Sequence, residues 1–370
     1  MILTLKKFAY LAPLVAVLFV GISCSNSKPE QVPQEVMKQI YEKVKTPHKY
    51  GLVLVPEHRD QKVDCRSVFR SGDHWYMTYI VYEGRGYETW LAESEDLVNW
   101  TKKGRMLSFS DSTRWDANQN SGDVVLRDHT WGGSYRLQQY QDKYWMSYYG
   151  GTSIGYEAGK LSISIAYTEK DPSIAHEWIR LGQPVLAPDD DNASWWDNAK
   201  MYKSTVLWDK SQTTGHPFVM YYNALGDSLN PDRGAERIGM AVSDDMRNWQ
   251  RYGEDPVLNH HDGITGNPAI QKMGDIWVMF YFGAFYGGRD DAWNSFAASY
   301  DLVNWTDWTG LELIEPSESY DARFAHKPIV INHEGTVYHF YCAVNKDDQR
   351  GIALATSTDL GKSDLQFPKQ

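Results

Sequence analysis

Cysteine is scarce in this chain, three in 370 residues, and that excludes a fold scaffolded by disulfides. Within the body only Cys65 and Cys342 could pair, and two buried thiols are the preferred reading. No Cys/His cluster with ligand spacing is present. His260-His261-Asp262 is an isolated loop group, so neither a metal nor another cofactor is expected. There is no glycine-rich phosphate loop and no Gly-x-Ser-x-Gly elbow, which removes the common nucleotide-binding and serine-hydrolase chemistries. Positive charge is in deficit, 37 Lys+Arg against 48 Asp+Glu for a net −11, so nucleic acid is not an expected partner. Long helical patterns are missing, and the one long apolar run, 8–20, is too short to span a bilayer.

That run is a signal segment. Lys6 and Lys7 precede it, and Gly21-Ile22-Ser23-Cys24 closes it in a form that resembles the lipobox of bacterial lipoproteins. The expectation is a signal peptide over 1–23, lipid on Cys24 and a polar tether over 24–48 with a short helix from Glu35 to Val44. The product would be a monomeric outer-membrane lipoprotein, on the periplasmic or cell-surface side, holding a soluble body over 49–370.

In that body aromatic residues abound: 15 Trp and 24 Tyr in the whole chain. They recur in one motif: Trp75-Tyr76-Met77-Thr78-Tyr79, Tyr144-Trp145-Met146-Ser147-Tyr148, Phe218-Val219-Met220-Tyr221-Tyr222, Trp277-Val278-Met279-Phe280-Tyr281 and Val337-Tyr338-His339-Phe340-Tyr341. Dense aromatic and β-branched runs read as strands. A third strand follows each, and several end in Ser-x-Asp-Leu/Met; Trp100, Trp249 and Trp305 then begin an outer strand. Before each motif lies an inner strand, read at 66–70, 136–140, 203–208, 268–272 and 328–331. Four short strands repeated this way predict an all-β, five-bladed β-propeller. The last unit is one strand short, and 51–55 is an unassigned strand, so the N-terminal strand is expected to complete the last blade and close the ring.

These units resemble the five-bladed glycoside hydrolases of families 43, 117 and 130 over about residues 50–362. The resemblance implies a glycosidase, inverting and exo-acting, on a plant or algal oligosaccharide, with no cofactor. Family 130 implies a phosphorylase instead, and a non-catalytic glycan-binding lipoprotein is the alternative from another class. Glycoside hydrolysis needs two carboxyl groups flanking the bond. Asp64 enters the first inner strand close to where family 43 places its base. Asp197, in Trp195-Trp196-Asp197, and Glu236, before a third strand, are candidates for the acid. Glu88 and Glu157 hold places comparable to Glu236, while Asp116, Asp262 and Asp321 lie in the right loops without a rank. Where family 43 carries its other two acids this chain has Lys203 and Gly266-Asn267-Pro268, so that triad does not transfer. His326 stands where the family 117 resemblance implies a histidine acid. Arg66, Arg136, Lys203, Asn267, His326 and Lys327 are expected to bind substrate. Several cations converging on one shaft must be paired with acids or must meet an anionic sugar.

Overall fold

The predicted aromatic runs are hairpin-linked strands in a computed structural model of the protein, which describes residues 30–226 and 235–369. The expected signal peptide, Cys24 and the start of the tether lie outside the described residues. Among the described residues no helix is long and apolar enough to cross a membrane.

The first element is α1 (Gln34–Val44). Its Met37, Ile40 and Val44 fall three and four residues apart, make one face and are buried. They join the core cluster that holds Val63 and Ile329, and Tyr41 stacks on Trp308 at 5.3 Å. The tether expected as far as residue 48 is thereby corrected. The compact unit starts at Gln31, because the apolar stripe of α1 has a core to enter.

The remaining elements are strands. After β1 (His48–Leu54) come β2 (Lys62–Ser71), β3 (His74–Tyr82), β4 (Tyr87–Ser94) and β5 (Thr101–Leu107), paired antiparallel in that order. The same order recurs in β6 (Gln119–Val125), β7 (Tyr144–Gly151), β8 (Ser162–Thr168) and β9 (Ile179–Arg180). It recurs in β10 (Lys200–Trp208), β11 (Phe218–Leu225), β12 (Glu236–Ser243) and β13 (Gln250–Arg251). It recurs again in β14 (Ile264–Met273), β15 (Ile276–Ala284), β16 (Ala292–Ser299) and β17 (Thr306–Asp307). The final group is β18 (Phe324–His333), β19 (Thr336–Val344) and β20 (Arg350–Thr356). As expected of the unassigned N-terminal strand, β1 pairs antiparallel with β20, Leu52 opposite Ala353 and Leu54 opposite Ile352. The centres of the second strands, Met77, Met146, Met220, Met279 and Phe340, are wholly buried.

The Ser-x-Asp turns work through their carboxylates. Asp96, Asp245 and Asp301 each accept the N–H groups two and three residues on, at 2.7–2.9 Å. The residue between, Leu97, Met246 or Leu302, sits at φ 64–68° with its side chain buried. Two of the following tryptophans reach a neighbouring group of strands: Trp100 meets Phe340 of β19 edge-on at 5.7 Å and Trp305 meets Tyr221 of β11 at 5.6 Å.

One inner strand was misplaced. The strand preceding β7 is Gln119–Val125, not 136–140. Residues 126–137 instead cross the far ends of the other first strands. Leu126 N–H donates to Val206 of β10 at 3.5 Å, Trp131 N–H to Lys272 of β14 at 2.9 Å, and Arg70 N–H of β2 to Tyr135 at 3.0 Å. Tyr135 Oη accepts the N–H of Asn332 of β18 at 3.0 Å. This segment is a plug. Its backbone groups find partners on three strands and the Tyr135 hydroxyl on a fourth, which is how a polar loop can cross these strand ends. Arg136 belongs to it: it is exposed, its Nη2 donates to the carbonyl of Gly72 at 2.7 Å, and its expected part in substrate binding is corrected.

Candidate active site

At the end of the first strands opposite the plug, the ladder slips. Pairing skips Arg66 in β2, Tyr202 and Lys203 in β10, Asn267 and Pro268 in β14, and Lys327 and Pro328 in β18. Such bulges re-aim side chains. Asn267 and Lys327 adopt φ of 58° and 60°, a left-handed conformation unfavourable for L side chains and tolerated where the surroundings impose it. The proline after each has no N–H to leave unpaired. Arg66, Lys203, Asn267 and Lys327 all line one cavity of about 200 Å³, joined by Glu157 from the β7–β8 loop, Glu236 from β12, His326 and Arg350.

Among the described residues, two carboxyl groups line this cavity, those of Glu157 and Glu236. Glu236 opens β12 and accepts a hydrogen bond from Asn223 Nδ2 at 2.5 Å. Burial, and then the like charge of Glu157, push its carboxyl up to about 8. Glu157 sits at φ 48° and is half-buried. Its carbonyl accepts from Lys200 Nζ at 3.0 Å and its Oε1 from Tyr87 Oη at 3.3 Å. The preceding Tyr156 is held by a hydrogen bond from Arg350 Nη1, and Lys62 Nζ lies 5.5 Å from the centre of its ring. Both acids are half-buried, and Glu236 is the one held protonated near neutrality.

Asp64 lies behind the cavity wall. Its Oδ2 accepts from Lys327 Nζ at 2.6 Å and its Oδ1 from Cys342 Sγ at 2.6 Å, with Arg350 Nη1 at 3.6 Å. Burial alone would raise this carboxyl, but Lys327, Arg350 and other nearby cationic groups overcome it and hold it well below the usual range. Lys203 Nζ donates to the Arg66 carbonyl at 2.7 Å and stands 3.6 Å from Asp123. Burial lowers its ammonium to about 8 against the pull of Asp123. The convergent cations are therefore largely paired within the protein. Arg66 is the exception: its Nη2 donates to Tyr149 Oη at 3.2 Å, and it makes no ion pair with a described carboxylate.

His326 Nδ1 lies 3.1 Å from the Cys342 carbonyl. A carbonyl only accepts, so Nδ1 carries the proton and Nε2 is a lone pair in the neutral ring. Burial, then Lys327 and Arg350, hold the imidazole well below its ordinary value, so a proton-donating histidine is not what this environment favours.

Asp197 does not line the cavity. It is fully buried, and its Oδ2 accepts from Arg251 Nε at 2.7 Å and from Tyr222 Oη at 2.9 Å. Trp196 beside it stacks on Tyr222 at 5.6 Å and lies where a Cβ on Gly239 would come within 1.8 Å of its ring. Asp116 meets Tyr148 and Arg114 in the same manner, and Asp321 meets Tyr341 and Lys49. These are repeated structural clamps. Glu88 is engaged by Arg105 at 3.0 Å, also away from the cavity. Arg350 and Asn223 escaped the sequence reading. A signal existed for Arg350, since it opens β20 as Glu236 opens β12. Cys65 and Cys342 are buried free thiols, as preferred.

No family model matches this sequence. A solved structure of a complex of BT0996 with RGII is 54% identical, covering 92% of this protein and 99% of that one with a TM-score of 0.88. A structure described as a glycoside hydrolase is also 54% identical over the same shares, TM-score 0.87. Zg3597, a family 117 glycoside hydrolase from Zobellia galactanivorans, shares 16% identity over 87% of this protein and 93% of its own length, TM-score 0.60, a likeness of fold. A 1,2-beta-oligomannan phosphorylase of Thermoanaerobacter sp. (strain X514) is 28% identical over 142 residues, 37% of this protein, and the match spans 45% of that phosphorylase.

Proposed function

We propose a pair of acting groups for this protein, which belongs to the glycoside hydrolases: Glu236 protonates the leaving oxygen, and Glu157 activates the water that attacks the sugar. The observation that carries this is that, of the two acids that line the cavity among the described residues, Glu236 is raised to about 8 by burial and its neighbour's charge and so keeps a proton to donate near neutrality. A carboxyl group that keeps its proton near neutrality suits the acid, which leaves the other carboxyl group as the base. A base with access to water suits inversion, in which a water stands between base and sugar.

Exo action is supported by the cavity itself. At about 200 Å³ it is smaller than the ~300–1,000 Å³ usual for ligand pockets and suits one terminal sugar, and the plug over 126–137 obstructs the opposite end of the same strands. A neutral sugar is favoured over an anionic one, because Lys327 and Arg350 face Asp64 and Lys203 faces Asp123; among the described residues the anionic alternative rests on Arg66. His326 Nε2 accepts from a substrate hydroxyl, while Arg66 and Asn267 donate to others. The RGII complex of the 54% identical relative makes an RGII-derived oligosaccharide the first substrate to try. The strand groups support five blades arranged as a closed ring, with β1 completing the last and β2 meeting β20 in parallel at Lys62 and Arg350. We further propose a periplasmic or surface lipoprotein anchored through Cys24.

The test is release of a monosaccharide from a glycan panel that includes neutral and uronic termini, with the first-formed anomer read by proton NMR. Glu236→Gln and Glu157→Gln should each lower kcat by about 10²–10⁴-fold. Activity that survives both substitutions refutes the pair, and first release of the retained anomer makes Glu157 a nucleophile rather than a water-activating base. A rate that depends on phosphate would favour phosphorolysis.

A further inference from the structure

Beside the cavity lies a second one that the acid–base pair leaves unused. It measures about 530 Å³ and is lined by Asp262 and by 285–290, the connection between β15 and β16. Phe285 lines both cavities. Its ring also meets Phe324, another residue of the first cavity, edge-on at 5.6 Å. The two spaces therefore share a wall.

The connection is held rigidly. Tyr286 stacks on His260 at 4.7 Å with an interplanar angle of 5°. His260 in turn bonds Thr265 at 2.7 Å and Asp307 at 2.8 Å. Arg289 grips Asp291 through two hydrogen bonds of 2.7 and 2.8 Å, and its guanidinium lies 4.0 Å from the centre of the Trp293 ring. Between these anchors Gly287 and Gly288 adopt φ of 64° and 79° with open space where a side chain would stand. A preformed ledge without side chains at its centre lets a ring approach the backbone closely.

Two carboxylates frame the ledge, those of Asp262 and Asp290. Both residues are exposed, and no side-chain hydrogen bond or close ion pair engages either among the described residues, although the Asp262 charge acts on the nearby Arg237 guanidinium. Charged acceptors beside an apolar wall match the two faces of a pyranose, hydroxyls at its rim and C–H groups on its flat side.

We infer that this ledge is the leaving-group site: it holds the neutral sugar on the far side of the scissile bond, with Asp262 and Asp290 accepting from its hydroxyls and Phe285 packing between the two residues of the substrate. The inference rests on the reading of the first cavity as the site of the terminal sugar. Its function is to orient the departing oxygen, so that binding energy from the leaving sugar acts on the reacting bond.

The experiment compares two substrates in the full-length protein: an RGII-derived oligosaccharide, and the p-nitrophenyl glycoside of whichever monosaccharide is released from it. Asp262→Ala with Asp290→Ala should lower kcat/KM on the oligosaccharide by about ten-fold or more while changing that on the aryl glycoside by less than about two-fold. An equal change on both substrates, or no change on either, overturns the site. Glu236→Gln assayed alongside keeps the two readings separate. Because p-nitrophenolate leaves without a proton, an acid at Glu236 predicts loss on the oligosaccharide with activity kept on the aryl glycoside; retained activity on the oligosaccharide makes the acid assignment fail, whereas the ledge is judged by the Asp262/Asp290 variant, whose substrate ratio must fall with an unchanged pH dependence of kcat. A wild-type protein that cleaves neither probe overturns both.

Discussion

Replacing Glu236 by glutamine should make the protein more stable and nearly inactive at once, with a stability gain that depends on pH. An acid whose carboxyl titrates near 8 when folded and near 4.5 when free binds its proton more tightly in the folded state. Its contribution to stability is therefore fully present below about 4.5 and is lost progressively as pH rises through about 8. At about 1.36 kcal/mol per pH unit, ionisation of the unfolded chain would cost the native state about 3 kcal/mol at pH 7. Solvent in the cavity screens part of this, so about 1.5–3 kcal/mol is the expected difference. Glutamine never ionises, yet its Oε1 can still accept the bond from Asn223 Nδ2, 2.5 Å away in the native protein. Urea unfolding of the two proteins at pH 5, 6, 7 and 8 measures the effect. The variant's advantage should be small at pH 5 and grow with each step. An advantage that stays flat across the series, or a variant less stable at pH 8, would refute the buried-acid argument for Glu236.

Two further substitutions separate structural from catalytic carboxylates. Asp64→Asn leaves Lys327 and Arg350 facing an uncharged group in a buried place and should cost about 3–5 kcal/mol in urea unfolding; a variant as stable as the wild type yet inactive would restore Asp64 as the base. Asp197→Asn removes the more buried of the two carboxylates paired with Arg251, leaving Asp190, and should destabilise by about 1–3 kcal/mol, while kcat per folded molecule stays near wild type; a large loss of kcat at unchanged stability would return Asp197 to the site.

Strand positions were legible because they depend on local patterning. Aromatic and β-branched runs, Ser-x-Asp turns and their tryptophans repeat along the chain, and β3, β7, β11, β15 and β19 lie over the predicted motifs. Asp197 shows where such reading fails. Its preceding tryptophans made it a candidate for the acid, but Trp115-Asp116 and Tyr320-Asp321 repeat the same aromatic–aspartate pair, and repetition marks a structural device that a single catalytic centre does not need. Arg136 failed for another reason. Its segment has the alternation of a strand, yet its hydrogen bonds go to Arg70 and to neighbours far away in sequence.

From the amino-acid order alone came the strand units, their turns, the return of β1 to the last unit and the basic residues at the inner-strand starts, since each depends on near neighbours or on a repeat. Tertiary structure decided which charges are free. Whether Lys327 meets a substrate or Asp64, 263 residues away in the chain, depends on where folding carries each strand. So does the raised pKa of Glu236, which burial and the charge of Glu157, on a different group of strands, together produce. Electrostatic fields act through space rather than along the chain, and the acid that the site uses is a product of that convergence.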